Sequence, residues 1–441
     1  MTPQKIAIIG GGIAGLASAW LLSRKHDVTL FERNDYIGGH THTLEVDTPR
    51  GPLAVDTGFI VYNEPNYPNL TNLFRTLDVA TRASDMSFGV SVDQGALEYA
   101  GSNLNTLFAQ RRNLLEPRFL GMLRDVLRFN RRAKQILAQP VIEDISLGDF
   151  LLREAYGAEF RDHYLLPMAA AIWSCPTATM LAFPLASFLR FFANHKLIDL
   201  FGRPEWRTVV GGSHEYVKRM LRLLEGRVFI STPAVAVTRL GDAVAVIAGD
   251  GEQRCFDQVI LACHADEALA LLSHPSEHEK KILGSFSYQK NHAILHRDAR
   301  LMPRNPRAWS SWNYLAQRDR QQVTAVSVTY WMNRLQGLPG DQQLFVSLNA
   351  ITPPREDAVL REMVYDHPVF DQRAMTAQRQ LTQIQGRNRI WYCGSYCGYG
   401  FHEDALRSAI AVAEQLGVTA PWASTQRQPS RDAIRLQPAE A

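Results

Sequence analysis

The first forty residues contain the feature that most constrains the fold of this chain. Residues 5–9 form a short apolar run that is typical of a buried parallel strand, and a glycine-rich turn, G-x-G-x-x-G, follows at once. Residues 16–25 then have helical spacing, and a second apolar run, residues 28–31, ends in Glu32. This order of strand, glycine turn, helix, strand and acid is typical of one dinucleotide-binding βαβ unit. It predicts an α/β protein with a Rossmann-like domain.

Each glycine of the turn has a separate physical role in such a unit. Gly10 permits the tight turn, Gly12 lets the backbone approach a pyrophosphate, and Gly15 lets the helix pack closely on the sheet. The helix N-terminus offers free N–H groups and a partial positive charge to the phosphates. Glu32 can accept hydrogen bonds from a ribose 2′-OH. The expected contacts with the dinucleotide in this unit are Gly10, Gly12, Ile13, Ala14, Gly15 and Glu32.

The residues after Glu32 distinguish between possible nucleotides. Arg33 follows directly, and Gly38-Gly39-His40-Thr41 comes after a spacer of four residues. This resembles the E-R-x(4)-G-G-x-x signature of the large flavoprotein group that contains amine oxidases, protoporphyrinogen oxidase and phytoene desaturases. The resemblance implies FAD rather than NAD, with the Gly-Gly pair letting the chain pass close to the diphosphate and the ribityl chain. The FAD contacts that it implies here are Arg33, Gly38, Gly39, His40 and Thr41.

Two later segments resemble other parts of the same family's cofactor site. Residues 56–59 are similar to the segment that returns to the flavin, although taken alone they indicate only a turn. The strand-rich stretch of residues 227–263 is similar to the middle FAD segment, in which the backbone would hold the adenine. The contacts implied by these two segments are Thr57, Gly58, Phe59, Ala234 and Val235.

A third motif lies near the C-terminus. Residues 389–394 are typical of a strand that ends in glycine, residues 395–401 form a glycine- and aromatic-rich loop, and a helix begins at His402. In the resembling flavoproteins this helix N-terminus points at the flavin pyrimidine ring and stabilises negative charge on the reduced flavin. Their usual E-G-A appears here as residues 403–405, with Asp in place of Gly. The implied contacts are Gly394, Ser395, His402, Glu403, Asp404 and Ala405.

These segments predict an amine-oxidase-like architecture in which an FAD-binding domain is interleaved with an α+β substrate domain. The expected FAD-binding domain is discontinuous and comprises residues 1–80, 205–285 and 385–420. The expected substrate or cap domain comprises residues 81–204 and 286–384. Residues 421–441 are polar with scattered prolines, and we expect a disordered tail there. No second G-x-G-x-x-G/A follows a strand, which argues against a dedicated NAD(P)H domain.

The chain also resembles a narrower group within this superfamily, the bacterial NAD/FAD-binding oxidoreductases with a G-Y-G-F-H-E-D segment near the C-terminus. Residues 398–404 match that segment, and residues 330–336 match the group's Y-W-M-N-R-L-Q. The resemblance covers nearly all of residues 4–417. Members often neighbour cyclopropane-fatty-acid-synthase-like enzymes, and some are tied to desaturation of methylated acyl chains. The resemblance therefore implies a lipid acyl chain as the substrate.

The expected substrate domain is rich in apolar side chains. Residues 165–200 hold many large apolar residues, and Pro167, Pro176 and Pro184 are expected to break them into short helices. They form either the core of a helical cap or the lining of an apolar tunnel, with most side chains in the core. Aromatic residues clustered between 309 and 331 either line a cavity beside the flavin or stabilise an interface between sheet and helices.

A basic helix precedes that apolar stretch. Apolar residues recur every three or four positions and predict one buried helical face: Leu115, Phe119, Met122, Val126, Phe129, Ala133 and Ile136. Between residues 111 and 134 the chain holds eight Arg or Lys and two Asp or Glu residues. The excess of positive charge either meets anionic lipid head groups or forms a solvated face.

Composition limits the partners and the compartment. The formal net charge of +3 argues against a nucleic-acid partner. The five cysteines show neither a C-x-x-C pair nor zinc spacing, which indicates reduced thiols in a cytoplasmic protein and no metal site. The apolar run at residues 6–22 contains three consecutive glycines, which argue against a spanning helix. A soluble protein with peripheral contact to the inner face of the membrane fits, and the oligomeric state stays open.

A flavin enzyme of this group transfers a hydride equivalent from a C–H bond to flavin N5. O₂ or a quinone-type acceptor would reoxidise it, because no nicotinamide domain or dithiol is evident. By motif position the candidate catalytic residues are Tyr396, Phe401 and His402, with Glu403 near the flavin; His296 and Lys290 could contribute from the substrate domain. We find no convincing site for covalent flavin attachment.

The expected function is therefore dehydrogenation of an apolar substrate, most plausibly a lipid acyl chain, by an FAD-dependent oxidoreductase. An amine oxidase is the first alternative: Phe401 falls at one position of the required aromatic pair, and the partner cannot be placed. A flavin-dependent isomerase or mutase is the second. A non-catalytic lipid- or prenyl-binding protein on the same fold is the third, and the intact glycine turn argues against it.

Overall fold

The computed structural model describes residues 2–173, 177–199, 202–318 and 324–423. The strands are β1 (Lys5–Ile9), β2 (Asp27–Phe31), β3 (Thr43–Thr48), β4 (Gly51–Asp56), β5 (Val61–Asn63), β6 (Thr81–Ser84), β7 (Phe88–Val92), β8 (Leu97–Ala100), β9 (Trp206–Val209), β10 (Val228–Phe229), β11 (Ala234–Leu240), β12 (Ala243–Ala248), β13 (Gln253–Phe256), β14 (Gln258–Leu261), β15 (Ser287–His296), β16 (Trp312–Arg318), β17 (Thr324–Trp331), β18 (Phe345–Leu348), β19 (Val359–Val369) and β20 (Ile390–Tyr392). The helices are α1 (Ile13–Leu22), α2 (Pro68–Thr76), α3 (Leu104–Leu107), α4 (Pro117–Leu137), α5 (Leu147–Arg153), α6 (Ala158–Phe160), α7 (Leu166–Trp173), α8 (Thr177–Leu181), α9 (Leu185–Asn194), α10 (His214–Leu221), α11 (Ala265–Leu271), α12 (Glu277–Leu283), α13 (Met332–Leu335), α14 (Gln372–Gln380) and α15 (His402–Gln415).

A five-stranded parallel sheet in the order β10-β2-β1-β14-β20 forms the centre of one half of the molecule. Its strand β1 is covered on both faces, as expected of a parallel strand. Ile6 and Ile8 pack in the core that contains α1 and α15, whereas Ala7 and Ile9 pack in the core that contains the antiparallel β11-β12-β13 sheet. This alternation follows from the two-residue repeat of a strand.

The topology of this sheet opens a binding crevice. The chain leaves β1 through α1 to β2 on one side, while β14 pairs with β1 on the other side. A parallel sheet binds ligands at the carboxyl ends of its strands, where the strand order reverses. Strands from three separate stretches of the sequence meet in this sheet, each within one of the three expected FAD-binding segments. The exact domain boundaries stay a prediction.

A seven-stranded mixed sheet forms the centre of the other half, in the order β19-β15-β18-β17-β16-β7-β8. Neighbouring strands are antiparallel except β7 and β16, which run parallel. Together with the cap helices α4 to α9, the sheet encloses the largest apolar core of the described residues. A turn at residues 93–95 joins β7 and β8 as an antiparallel hairpin at one edge of this sheet.

Helix α4 confirms the predicted buried face with one exception. Phe119, Met122 and Phe129 are buried, and they pack in the cap core. The prediction that Leu115 belongs to this buried face is wrong, because Leu115 precedes the first residue of the helix and is 87% exposed. The periodicity continues through Leu115 by coincidence of spacing.

The prolines of the cap act differently from one another. Pro184 is the N-cap residue of α9, so it separates two helices as predicted. The prediction that Pro167 breaks a helix is wrong, because α6, a π-helical turn over residues 161–165 and α7 follow one another without interruption. The missing N–H of a proline is tolerated where the normal helical ladder is already altered. Pro176 lies outside the described residues.

The last described residues of the chain pack against the core that contains α1 and α15. Trp422 is buried and stacks on Trp20 of α1, with ring centroids 6.3 Å apart. The expected disordered tail therefore does not include residue 422, and residues 424–441 lie outside the described part of the chain. No helix among the described residues is long and apolar enough to cross a membrane.

Candidate active site

A cavity of about 710 Å³ extends from the glycine turn after β1 to the seven-stranded sheet. The ends of β1, β2 and β14 line one part of it, together with the segments that follow β20 and precede α15. Side chains of the cap helices and of β16 to β19 line the other part. The volume falls in the range of small-molecule and cofactor sites.

The three glycines of the turn have the geometry that their expected roles require. Gly10 has φ +107°, and a Cβ there would lie 2.9 Å from the carbonyl oxygen of Ala262. A Cβ on Gly15 would lie 1.8 Å from the carbonyl oxygen of Gly10, so α1 packs directly on the turn. A Cβ on Gly12 would meet nothing within 4 Å, and Gly12 lines the cavity as the N-cap of α1. The free helix N-terminus therefore faces open space that fits a phosphate group.

The buried carboxylate of Glu32 fixes the shape of the turn. Its Oε2 accepts the N–H of Gly11 at 2.7 Å, and its Oε1 accepts the N–H of Asn34 at 2.8 Å. Glu32 also lines the cavity at the end of β2. Arg33 beside it forms an ion pair with Glu267 at 2.5 Å. These contacts hold a carboxylate at the cavity wall next to the glycine turn.

The Gly-Gly pair lies against the glycine turn. Gly38 donates its N–H to the carbonyl oxygen of Gly11 at 2.9 Å, and a Cβ on Gly39 would lie 3.1 Å from the Cα of Gly12. Both residues have positive φ, +128° and +58°, which favours glycine. The backbone of Gly38 and Gly39 is therefore in direct contact with the backbone at the N-terminus of α1.

His40 offers an unsatisfied polar atom at this point. Its side chain lines the cavity, and its Nε2 atom is buried without a hydrogen-bond partner in the described chain. Burial, with a smaller contribution from His367, holds the pKa of His40 well below its usual range, so the imidazole is neutral. The ring centroids of Tyr365 and His367 lie 5.1 and 5.2 Å from that of His40. A buried polar group without a partner fits a site that a polar ligand completes.

Thr41 and His402 join the Gly-Gly segment to the start of α15. Thr41 Oγ1 lies 2.9 Å from His402 Nε2 and 2.5 Å from the hydroxyl of Tyr216. The His402 ring stacks on Phe59 with centroids 3.8 Å apart. Burial lowers the pKa of His402 to about 3, so this imidazole is also neutral. Both His402 and Phe59 line the cavity, whereas Thr41 supports them from behind.

The segment at residues 56–59 is held by a fully buried carboxylate. Asp56 accepts hydrogen bonds from the Ser213 backbone N–H, at 2.8 and 3.0 Å, and from the Gln336 side chain at 2.9 Å. Burial raises the pKa of Asp56 to about 6. A Cβ on Gly58 would lie 2.2 Å from the carbonyl oxygen of His40, so the two cavity-lining segments are packed without space for a side chain.

The acids at the start of α15 point away from the cavity. Glu403 accepts the N–H groups of Asn69 and Leu70 at 3.0 Å, and thereby caps α2. Asp404 accepts the N–H groups of Tyr399 and Phe401, and pairs with Arg407 at 2.6 Å. Neither acid lines the cavity. Asp404 therefore holds the aromatic loop and does not reach the cavity.

The rest of the cavity is predominantly apolar and aromatic. The apolar and aromatic residues that line it come from the cap helices, from strands and from the connecting segments, and include Met86, Phe88, Met168, Ile172, Trp173, Phe191, Leu197, Trp206, Trp312, Tyr330, Leu348, Phe370, Tyr399 and Phe401. Phe401 stacks on Phe191 with centroids 5.2 Å apart. Of the predicted aromatic cluster, Trp312 and Tyr330 line the cavity, whereas Trp309 packs edge-on against Trp331 outside it. Part of this cluster therefore lines the cavity, and another part packs outside it.

The structure brings most of the expected site residues to this cavity and leaves others outside it. The expected residues that line it are Gly10, Gly12, Ile13, Ala14, Glu32, Arg33, Gly39, His40, Thr57, Gly58, Phe59, Ala234, Val235, Gly394, Ser395, Tyr396, Phe401, His402 and Ala405. Those that do not line it are Gly15, Gly38, Thr41, Glu403, Asp404, Lys290 and His296.

The two outer candidates for catalysis have other surroundings. Lys290 is exposed on β15. His296 is completely buried at the end of the same strand, where its Nε2 lies 2.8 Å from the hydroxyl of Ser347. Burial lowers the pKa of His296 to about 4, so it is a neutral member of the sheet core.

Sequence reasoning missed several residues that line the cavity. Cys263 and His264 lie two and three residues after the end of β14, and Tyr365 and His367 belong to β19. The first two could have been found, because they follow a strand of the central parallel sheet at its ligand-binding end. The β19 residues carry no comparable signal, since they reach the cavity through the packing of one sheet against the other domain. Burial raises the pKa of the Cys263 thiol far above its usual range.

Burial keeps the two cysteine thiols of the C-terminal motif protonated. Burial raises the pKa of the Cys393 thiol to about 12 and that of the Cys397 thiol further, so neither is a reactive thiolate near neutral pH. Cys175 lies outside the described residues. Within the described ranges, no group of three or more His, Cys, Asp or Glu residues could hold a metal ion.

Comparisons with known proteins agree with this geometry. A family model described as flavin containing amine oxidoreductase matches residues 13–342. A 1-hydroxycarotenoid 3,4-desaturase from a Flavobacterium species is 38% identical over 78 residues, which are 17% of this chain and 15% of that enzyme. The chain thus spans about 15% of the length of this curated relative.

Solved structures match over almost the whole chain. A double mutant of putrescine oxidase has a TM-score of 0.67 at 17% identity, and a CLA-producing fatty acid isomerase from P. acnes has 0.66 at 15%. Each comparison covers 94% of this chain and 99% of the other. At these identities the likeness shows the fold, and it confirms the predicted amine-oxidase-like two-domain architecture.

Proposed function

This chain belongs to the family of flavin-containing amine oxidoreductases, and from that premise we propose that it dehydrogenates an apolar substrate, the acyl chain of a lipid. It is an FAD-dependent oxidoreductase related to amine oxidases and carotenoid desaturases. The bound flavin supplies the redox chemistry by accepting a hydride equivalent. The observation that carries the substrate class is the continuity of the glycine-turn site with an apolar, aromatic cavity.

We assign the dinucleotide end of FAD to the turn and to the segments beside it. The N-terminus of α1 at Gly12 would receive the pyrophosphate, and Glu32 would receive a ribose hydroxyl. The open Cβ position of Gly12 and the unpartnered Nε2 of His40 both fit a large polar ligand in this space. Ala234 and Val235 would contact the adenine.

The residues of this chain then have positioning roles around the reacting carbon. The N-terminus of α15 carries free N–H groups and a partial positive charge at His402, which favours negative charge on a reduced ring system. The neutral His402 is fixed by Thr41 and by the stacked Phe59 ring. The apolar side chains of the cap exclude water and hold an alkyl chain by burial. O₂ or a quinone-type compound is the proposed acceptor.

An amine oxidase is the second candidate, and the likeness of the fold to putrescine oxidase favours it. Phe401 lines the cavity and stacks on Phe191 with centroids 5.2 Å apart, so these two rings contact each other and do not enclose an amine. The second ring of the required aromatic pair is therefore not assigned.

An anaerobic absorbance titration of the purified holoenzyme tests the proposal. Monounsaturated and methyl-branched acyl lipids are added in one series and primary amines in another. Bleaching of the flavin band by lipids alone supports acyl dehydrogenation, and bleaching by amines alone replaces it with the second candidate. If neither class bleaches the band, dehydrogenation of acyl lipids is wrong, and double-bond positions in recovered lipid show whether an isomerase acts instead.

We also propose that the protein meets anionic membranes through one surface of the cap, the α4 surface. Leu120, Arg124, Leu127 and Arg131 follow one another at helical spacing on α4, and all are exposed. Three large leucines that precede α4 in the chain are exposed as well: Leu104, Leu114 and Leu115. Exposed leucines between arginines suit an interface of apolar chains and anionic head groups.

Vesicle co-sedimentation tests the α4 surface. Double replacement of Arg124 and Arg131 by Gln removes two charges, and we expect binding to anionic vesicles to weaken by about 1 kcal/mol per charge. Arg128 is left unchanged, because it donates to the backbone of Glu154 and packs on Tyr156. Arg379→Gln, an exposed site on α14, is the matched control. Equal binding of wild type and double variant would contradict the proposal.

A further inference from the structure

One cation lines the apolar part of the cavity. The charged side chains at the dinucleotide end are accounted for, because Glu32 holds the turn and Arg33 pairs with Glu267. On the apolar side the cavity reaches Arg203, which lies in the segment between α9 and β9 beside Trp206. Among the described residues that line the cavity, Arg33 and Arg203 are the arginines, and no lysine accompanies them.

The guanidinium of Arg203 is available to a ligand. Its Nε donates to the backbone carbonyl oxygen of Asp199 at 3.2 Å, which fixes the side chain and leaves its other donors free of protein acceptors within the described ranges. The Asp199 carboxylate does not neutralise it, because Lys134 binds that carboxylate at 2.5 Å and Lys196 lies 3.7 Å from it. The rim formed by Arg203, Asp199, Lys134 and Lys196 therefore carries a net positive charge.

The position of Arg203 suits the outer end of a long ligand. Arg203 is exposed, whereas Phe191 is buried and Trp206 is half-buried, so the cavity passes inward from a charged rim to an apolar interior. The neighbouring His195 adds no charge, since burial lowers its pKa to about 4. Lys134, the last basic residue of α4, connects this rim to the α4 surface through Asp199.

We propose that Arg203 is a substrate-binding residue that pairs with the anionic head group of a single-chain lipid, a carboxylate or a phosphate, while the alkyl chain extends inward past Trp206 and Phe191. A planar guanidinium with free donors matches the geometry of such oxyanions. This inference rests on the proposed function and names its substrate class more closely. It also disfavours a primary amine, whose positive charge Arg203 would repel.

Equilibrium binding to the FAD-loaded protein tests the proposal without requiring turnover. Trp173, Trp206 and Trp312 line the cavity, so quenching of tryptophan fluorescence reports its occupation. Oleic acid, its methyl ester, oleyl phosphate and oleylamine are titrated at about pH 9, where a carboxyl group is ionised and arginine keeps its charge. We expect the acid to bind at least about tenfold more tightly than the ester.

Variants assign that preference to one side chain. Arg203→Gln should weaken binding of the acid about tenfold and leave the ester unchanged, and Arg203→Lys should keep part of the preference. Arg379→Gln, remote and exposed, should behave like the wild type. The ratio of flavin to protein absorbance and the melting temperature verify that each variant is folded and loaded.

The outcomes separate this inference from the proposed function. Two results with the wild type would overturn the role of Arg203: equal affinity for acid and ester, or preferential binding of oleylamine. Two further results would also overturn it: an equal loss of acid and ester affinity in Arg203→Gln, or no binding of any of the lipids. Tight binding of oleyl phosphate but not of oleic acid would identify a phosphate head group. If lipids still reduce the flavin anaerobically while the head-group preference is absent, only the inference about Arg203 fails.

Discussion

The carboxylate of Glu32 has two roles at once, which the sequence pattern alone does not separate. Its two oxygens accept the N–H groups of Gly11 and Asn34, and the residue also lines the cavity where a ribose would lie. We expect Glu32→Ala to weaken FAD binding by about 1–3 kcal/mol through loss of hydrogen bonds to a charged group. Titration of the apoprotein with FAD, followed by flavin fluorescence, measures this change.

A structural contribution of Glu32 should appear in the same variant. The two N–H groups lose their acceptor whether or not FAD is bound, so the apoprotein should also lose about 1–3 kcal/mol of unfolding free energy. Glu277→Ala is the control, because that carboxylate is 87% exposed. Unchanged FAD affinity in Glu32→Ala would remove Glu32 from the cofactor site.

At the scale of one element, the βαβ unit allows a direct comparison of two glycines. A Cβ on Gly15 would lie 1.8 Å from a backbone oxygen of the turn, whereas a Cβ on Gly12 would meet nothing within 4 Å. We therefore expect Gly15→Ala to destabilise the fold by several kcal/mol, since a backbone clash requires α1 to move. Gly12→Ala should keep the melting temperature of the apoprotein and lose FAD affinity, because its methyl group enters the space proposed for the pyrophosphate.

Calorimetry of both apoproteins and FAD titration of the folded ones test this pair. A Gly12→Ala protein that binds FAD like the wild type would place the cofactor elsewhere. A Gly15→Ala protein of unchanged stability would show that the packing of α1 on the turn is looser than the distance indicates.

Elements that depend on local sequence were predicted well, and tertiary contacts explain the rest. The strand, glycine turn and helix at the N-terminus follow from local spacing, and the family resemblance supplied the return of residues 56–59 and of α15 to the same site. It could not supply the direction of Glu403, which caps α2 more than 300 positions earlier in the chain. The cavity-lining role of Tyr365 likewise depends on which domain faces β19.

Glu403 predicts a pH dependence of stability. Burial raises its pKa to about 7 from the ordinary value of 4.5. The folded state therefore binds this proton more tightly than the unfolded state, so the contribution to stability is complete below pH 4.5 and is lost as the pH rises through about 7. In Glu403→Gln this loss should be absent, and the variant should become more stable relative to the wild type as the pH rises.

Urea unfolding at several pH values, with FAD saturating throughout, measures that relative change. Glu414→Gln on the same helix removes an exposed carboxylate, and its difference from the wild type should stay constant over the interval. A constant difference for Glu403→Gln as well would show that the proton of Glu403 is bound equally in both states.

At the scale of the whole molecule, the cavity exists only because two domains meet. The parallel sheet provides strand ends and helix N-termini, which suit phosphate and flavin, and the mixed sheet with its cap provides apolar walls. Asp56 and Gln336 connect the two: the Asp56 N–H donates to Gln336 Oε1, and Gln336 Nε2 donates to Asp56 Oδ2, both at 2.9 Å. Gln336 is the last residue of the Y-W-M-N-R-L-Q segment, so that motif has a role in domain attachment.

Replacement of Gln336 should loosen this attachment. Gln336→Ala leaves the buried N–H of Asp56 without its acceptor and removes one of the two donors to Asp56 Oδ2, which costs about 1–3 kcal/mol of unfolding free energy. Gln336→Glu would face Asp56 with a second carboxylate, and its extra cost in unfolding free energy should grow above about pH 6, where Asp56 ionises.

Hydrogen exchange should become faster in β4 and α13 in both variants. Gln135→Ala, an exposed change on α4, should have no such effect. If exchange in β4 and α13 stays as slow as in the wild type, other contacts hold the domains together, and the cavity does not depend on this pair.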